Sequence, residues 1–106
     1  MPSITEMHET CRHVAEELRA DVDRHRLAEI ETVVRLLVPH LTRAVADGIN
    51  SGRAGALGNA GADLVQMRDH LSWVDGHRDG DLPRIREQLT QSITCAGAVL
   101  AVLERL

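Results

Sequence analysis

Phenylalanine and tyrosine are absent from this sequence and tryptophan occurs once, at Trp73, so aromatic residues make up only 1% of the chain. Independent β domains draw on Tyr, Phe, Trp and Thr for their half-buried pleated surfaces, so this scarcity argues against a sheet and for an aliphatic core packed helix on helix. Lysine is absent too: all 12 basic residues are Arg, and with 16 acidic residues the formal net charge is -4. Neither half of the chain carries a run of Arg interleaved with aromatics. A protein that tracks a phosphate backbone needs such a basic face, and nucleic-acid binding is therefore not expected.

Two cysteines, Cys11 and Cys95, are too few for a disulfide scaffold and fit the small-hydrophobe role that free Cys often takes in cores. No apolar run is long enough to cross a bilayer, the longest being Ile93 to Leu103. The opening residues lack the basic start and apolar stretch of a secretory signal, so the expectation is a cytoplasmic protein with no membrane segment. What is present is an ordinary globular mixture, 43% hydrophobic and 26% charged over 106 residues. That length supports one core, and residues 1–106 are read as a single domain.

Periodicity supplies the fold class. Ser3 and Glu6 have the spacing of a capping box, and Ile4, Met7, Cys11, Val14 and Leu18 then recur every three or four residues, which predicts a first helix from Ile4 to about Val22. The stripe shifts phase near Asp21-Val22-Asp23 and resumes at Leu27, Ile30, Val34, Leu37 and Leu41, with Val33, Val38 and Val45 widening it. A break, a turn capped by Asp23, or a long bent helix would each produce that shift. Pro39 predicts a kink or a fresh helix start, since it removes a hydrogen bond and crowds the preceding turn. Gly48 is placed to end this segment in a left-handed conformation, and the glycines that follow read as a connector through Ala56. A second reading packs this glycine-spaced segment as a helix, because Ala54, Leu57, Gly61 and Leu64 keep an approximate helical phase.

Asn59 is a candidate cap for the next helix, with Leu64, Met67 or Arg68, Leu71 and Val74 inward. Asp75-Gly76 and Asp79-Gly80 mark turns, and Asp81 followed by Pro83 starts the last helix. That helix carries Leu82, Ile85, Leu89, Ile93, Ala96, Leu100 and Leu103 on one side. Between Ile93 and Leu103 only Thr94 is polar, so it is apolar around nearly its whole circumference and must be covered on several sides. The expected architecture is an all-α bundle of three to five helices completed by a homodimer. Val33, Leu36 and Leu37, with Val99 and Val102 from the last helix, are the expected interface.

No complete catalytic constellation emerges, and the catalytic residues stay unassigned. His8 and Cys11 share a helical face, and Glu9, His13 and Glu17 form a track that Asp21, His25 and Glu29 continue, but neither pattern completes a ligand set. No metal and no cofactor are expected. The Arg35 and His40 pair, with four residues between, resembles that of a family of helical RNA-cleaving domains; the resemblance covers two side chains and implies His40 handling a proton while Arg35 stabilises phosphate charge. Trp73, His70 and His77, close to Asp69, Asp75, Asp79 and Asp81, form the expected ligand-binding group, with Trp73 as an apolar wall or anchor. Taken together these features predict an oligomeric protein-interaction or regulatory module, with another protein as a second kind of partner. The competing reading is a small-molecule or metal-binding bundle enzyme using His and carboxylate residues from distant parts of the chain.

Overall fold

Ser3 starts the first helix as its spacing predicts: its hydroxyl accepts from the Glu6 backbone N–H at 3.1 Å, while the Glu6 carboxylate accepts from the Ser3 N–H at 3.4 Å. The computed structural model describes residues 2–106, and among them every regular element is helical, with no strand. Four α-helices follow in order, α1 (Ile4–Arg19), α2 (Arg24–Asn50), α3 (Ala60–Gly76) and α4 (Leu82–Glu104), with a short 3-10 turn at Ala54–Leu57 between α2 and α3.

α1 stops at Arg19, three residues short of the expected end, and Asp23 caps α2 by accepting from the Arg26 N–H at 2.8 Å. The phase shift in the sequence is thus a true break. α2 then runs 27 residues without interruption, Pro39 included. At 1.5 Å per residue such a helix is about 40 Å long, which accounts for the 43 Å longest dimension of the molecule.

The end of α2 differs from expectation in an instructive way. Gly48 stays helical and buried, where an added Cβ would sit 3.4 Å from Leu57 and Leu106 side-chain carbons, so the glycine makes room for two leucines. The left-handed residue is Gly52, at φ 79°. There the Arg53 N–H bonds back to the Gly48 carbonyl at 2.9 Å and the Gly52 N–H to the Ile49 carbonyl at 3.0 Å, the paired bonds that close a helix whose next residue is left-handed. The connector reading holds through Arg53, after which the 3-10 turn drives Leu57 into the core. Asn59 and Asp81 occupy the expected N-cap positions of α3 and α4, but neither side chain makes a capping hydrogen bond.

α4 is the central element, and this corrects the reason for expecting an incomplete bundle. It packs against α3 most extensively, then α1 and α2, and touches the 3-10 turn as well. Its expected stripe from Ile85 to Leu103 is buried, and so are Ser92, Cys95 and Val99 on the flanking faces. Val99 is fully enclosed by its own chain, Leu37 points into the same core, and Val102 packs partly buried against it. These three of the five expected interface residues are therefore occupied within the single chain. A monomer covers α4 because three helices surround it, so its apolar circumference needs no second copy.

Candidate interaction surface

The outward face of α2 follows from its inward one. Leu27, Ile30, Val34, Leu37, Leu41, Val45 and Gly48 are buried, and residues about half a turn away fall on one opposite stripe, His25, Glu29, Thr32, Leu36, His40, Arg43 and Asp47, at spacings of three and four. All of these are exposed except His40, which is half-buried. Leu36 leaves 61% of its surface in water, and Val33 beside the stripe leaves 38%. Single exposed leucines are common on protein surfaces, but this one lies at the middle of the longest helix with a valine next to it.

Charge along the stripe is ordered. Glu29 takes the Arg26 guanidinium at 2.6 Å and the His25 imidazole at 2.9 Å. Toward the other end, Arg43 and Asp47 enter none of the ion pairs found among the described residues. The N-terminal end of the stripe thus presents Glu29, and the C-terminal end presents an unengaged Arg43.

Around the helix from this stripe lies a cluster that the sequence did not reveal. Glu31 is nearly buried although charged. Its Oε2 accepts from Arg35 Nε at 2.7 Å and from Arg78 Nη2 at 2.9 Å, while Oε1 accepts from Arg78 Nη1 at 3.2 Å. Asp75 closes the ring, accepting from Arg35 at 2.8 Å and from Arg78 at 2.7 Å. Two carboxylates and two guanidiniums alternate, so the cluster is formally neutral, and the Arg78 pKa is pushed up by its hydrogen bonds to Asp75 first and Glu31 second. Arg24 adds a tie by donating to the Arg78 and Gly80 carbonyls at 2.6 and 3.0 Å. The cluster pins the α3–α4 turn to α2. A visible signal did exist: Glu31 stands in apolar phase, four after Leu27 and three before Val34, with Arg35 one turn on.

Every cation of this cluster is used, which bears on the Arg35 and His40 pair. Arg35 also donates to the Leu71 carbonyl at 3.1 Å, and five residues along a helix places His40 well around the circumference from it. The pair does not converge on one point.

Of the residues expected to bind a ligand, His70 and Trp73 lie on α3 and His77 is its C-cap, one turn beyond Trp73. Trp73 is half-buried, and the His77 ring stacks on it with centroids 3.9 Å apart and planes 5° from parallel. His77 Nδ1 donates to the Trp73 carbonyl at 2.7 Å, which holds the stack in place. His70 Nδ1 donates to Gln88 Oε1 at 2.7 Å and ties α3 to α4. The His77 imidazole thus occupies one face of the Trp73 indole.

The other proposed chemical groups are dispersed. His8 Nε2 lies 3.3 Å from Glu104 Oε1, near enough for attraction but without hydrogen-bond geometry. Cys11 and Cys95 are both unpaired thiols. Burial pushes the Cys11 pKa up to about 11, and burial followed by the nearby Asp63 charge raises that of Cys95. Both are poor nucleophiles near neutral pH. Glu17, from the metal track, instead holds Arg26 through bonds of 2.8 and 2.7 Å, which join α1 to α2 across their break.

Several concavities are lined in part by α2, among them an open one of ≈ 540 Å³ at its C-terminal end beside Ala44, Asp47, Gly48 and Leu103. One of ≈ 150 Å³ sits below the ionic cluster, between Leu27, Val74 and Ile85, and is smaller than ordinary ligand pockets, which start at about 300 Å³. Another, ≈ 380 Å³, is a shallow groove between α2 and α3 lined by Val38, Pro39 and Leu71 with Arg35 and Arg68. Arg68 is already bonded to Thr42 Oγ1 at 2.8 Å. Among the described residues no three His, Cys, Asp or Glu side chains are grouped to hold a metal ion, and no helix is long and apolar enough to cross a membrane. No family model, curated protein or solved structure matches this chain.

Proposed function

We propose that this chain is a protein-interaction module of the regulatory kind that works as a homodimer, with the outer face of α2 as its contact surface. The observation that carries this reading is the exposure of Leu36 and Val33 on a helix whose inward face is already filled. Burying what Leu36 and Val33 still expose, 61% and 38% of their surfaces, from each copy favours association by a fraction of the roughly 1.5–3 kcal/mol that a fully exposed side chain contributes on burial, before the cost of ordering two molecules. The polar groups support the same reading: the ionic cluster is internally satisfied and one face of Trp73 is taken by His77, so these side chains are engaged within the chain.

The test is size-exclusion chromatography with light scattering on the wild type and on Leu36→Asp. A dimer that becomes a monomer in the variant, with helical circular dichroism unchanged, is the expected result. A wild type that stays at the 11.7 kDa chain mass across concentrations from about 1 to about 500 µM, a range spanning weak to ordinary specific affinities, refutes the proposal.

A further inference from the structure

The α2 surface has a property beyond being apolar: about its centre it is the complement of itself. Glu29 lies seven residues before Leu36 and Arg43 seven after; His25 lies eleven before and Asp47 eleven after. At 1.5 Å per residue the inner charges are about 10 Å from the leucine on either side, and all of these residues fall on one exposed stripe. A two-fold axis perpendicular to the helix and passing beside Leu36 would bring each Glu29 to the partner's Arg43 and each His25 to the partner's Asp47. The same axis places the two leucines against one another.

From this arrangement we infer that two copies associate through antiparallel α2 helices, in a register centred on Leu36. The occupant of the surface is a second copy of this chain, because a closed two-fold interface requires one patch to complement itself, and opposite charges at equal distances from an apolar centre meet that requirement. Parallel pairing in the same register is disfavoured by the same residues, since it sets Glu29 against Glu29 and Arg43 against Arg43. Arg43, unengaged within its own chain, gains a carboxylate partner only in the antiparallel arrangement. Val33, to one side of the stripe, then lies beside the partner's His40 and extends the apolar centre.

This inference rests on the homodimer reading, and the experiment separates the two. Glu29→Arg, Arg43→Glu and the double variant are compared with wild type by light scattering and by dilution, with circular dichroism as the folding control for these exposed sites. Because each substitution occurs twice in a symmetric dimer, either single reversal should weaken association about tenfold, and the double variant, which restores opposite charges, should recover to within about threefold of wild type. Independently, Leu36→Cys should oxidise readily to a covalent dimer, since a residue beside the two-fold axis meets its own copy, whereas Val65→Cys on α3 should not. The buried, poorly ionised Cys11 and Cys95 leave a low background in that assay. A wild type that never dimerises overturns the homodimer reading and this register with it. A dimer that ignores both charge reversals, or is weakened by each without rescue in the double variant, or fails to crosslink through position 36, overturns the register alone.

Discussion

Leu36 and Leu41 are five residues apart on one helix, and truncating each to alanine tests the rotation of α2 on which the interaction surface depends. Leu41 is 0% exposed and Leu36 is 61% exposed. At Leu41 the substitution removes three buried carbons, worth about 2.4 kcal/mol at about 0.8 per carbon group. A void of about 50 Å³ left unfilled adds about 1 kcal/mol at about 24 cal/mol per Å³, for a total of about 3–4 kcal/mol. In a domain of this size that lowers the thermal midpoint by about 12–16 °C, taking about 4 °C per kcal/mol. At Leu36 the isolated chain loses almost nothing, within about 0.5 kcal/mol, because the side chain is already largely in water.

The assay is thermal and urea unfolding followed by circular dichroism, at low protein concentration and again at high. At low concentration the two variants should separate by most of the Leu41 effect. At high concentration a second difference should appear, since the proposed dimer would stabilise the wild type by mass action and Leu36→Ala would lose that increment while Leu41→Ala would keep it. If Leu36→Ala is as damaging as Leu41→Ala in the dilute sample, the assigned faces of α2 are wrong, and the argument for its outer surface fails with them.

Two further outcomes concern the joints of the bundle. Hydrogen bonding to Arg26, then the Arg26 charge, holds the Glu17 pKa below its usual value; a depressed folded-state pKa contributes stability above the ordinary carboxylate range that is lost as pH falls through the folded value. Glu17→Gln should therefore show a smaller fall in thermal midpoint than wild type between about pH 6 and about pH 3, and an identical fall in both proteins would refute a role for this link. At the end of α2, Gly52→Ala meets no neighbouring atoms but must hold φ 79°, so it should lose about 1 kcal/mol in urea unfolding, whereas Gly55→Ala, with open space and no such backbone demand, should be neutral or slightly stabilising. Equal losses at the two glycines would contradict the assignment of the left-handed residue.

How far the fold could be read from the sequence depended on whether the deciding interaction was local. The Ser3–Glu6 box and the inward stripes of α1 and α2 involve residues within a turn of each other and appear in the structure as their spacing predicts, while the Asp23 cap is one of the three readings that the phase shift left open. Gly48 was misassigned because its role is set by Leu57 and Leu106, which arrive from elsewhere in the chain. A glycine needed for space and a glycine needed for a positive φ look alike in sequence, and only the positions of distant side chains tell them apart. The ionic cluster is hidden for the same reason, since Glu31 meets Arg78 across 47 residues.

Val99 shows where sequence reasoning about assembly went astray and why the conclusion is better founded on α2. An all-round apolar helix must be covered, but periodicity does not say by which chain. Here α1, α2 and α3 enclose α4, and of the two residues that seemed spare Val99 is fully buried and Val102 partly so. Surplus apolar surface has meaning for association only after the chain's own packing is subtracted, and what is left on α2 after that subtraction is Leu36 with Val33 near its middle and Ile49 at its C-terminal end. The remaining residues of that stripe are individually ordinary surface groups. Their order bears on association because Glu29 and His25 on one side of Pro39 and Arg43 and Asp47 on the other belong to one continuous helix. Of the two outcomes that Pro39 predicted, a fresh helix start does not occur, and that continuity is what the proposed two-fold contact requires of the opposite charges on the two halves of α2.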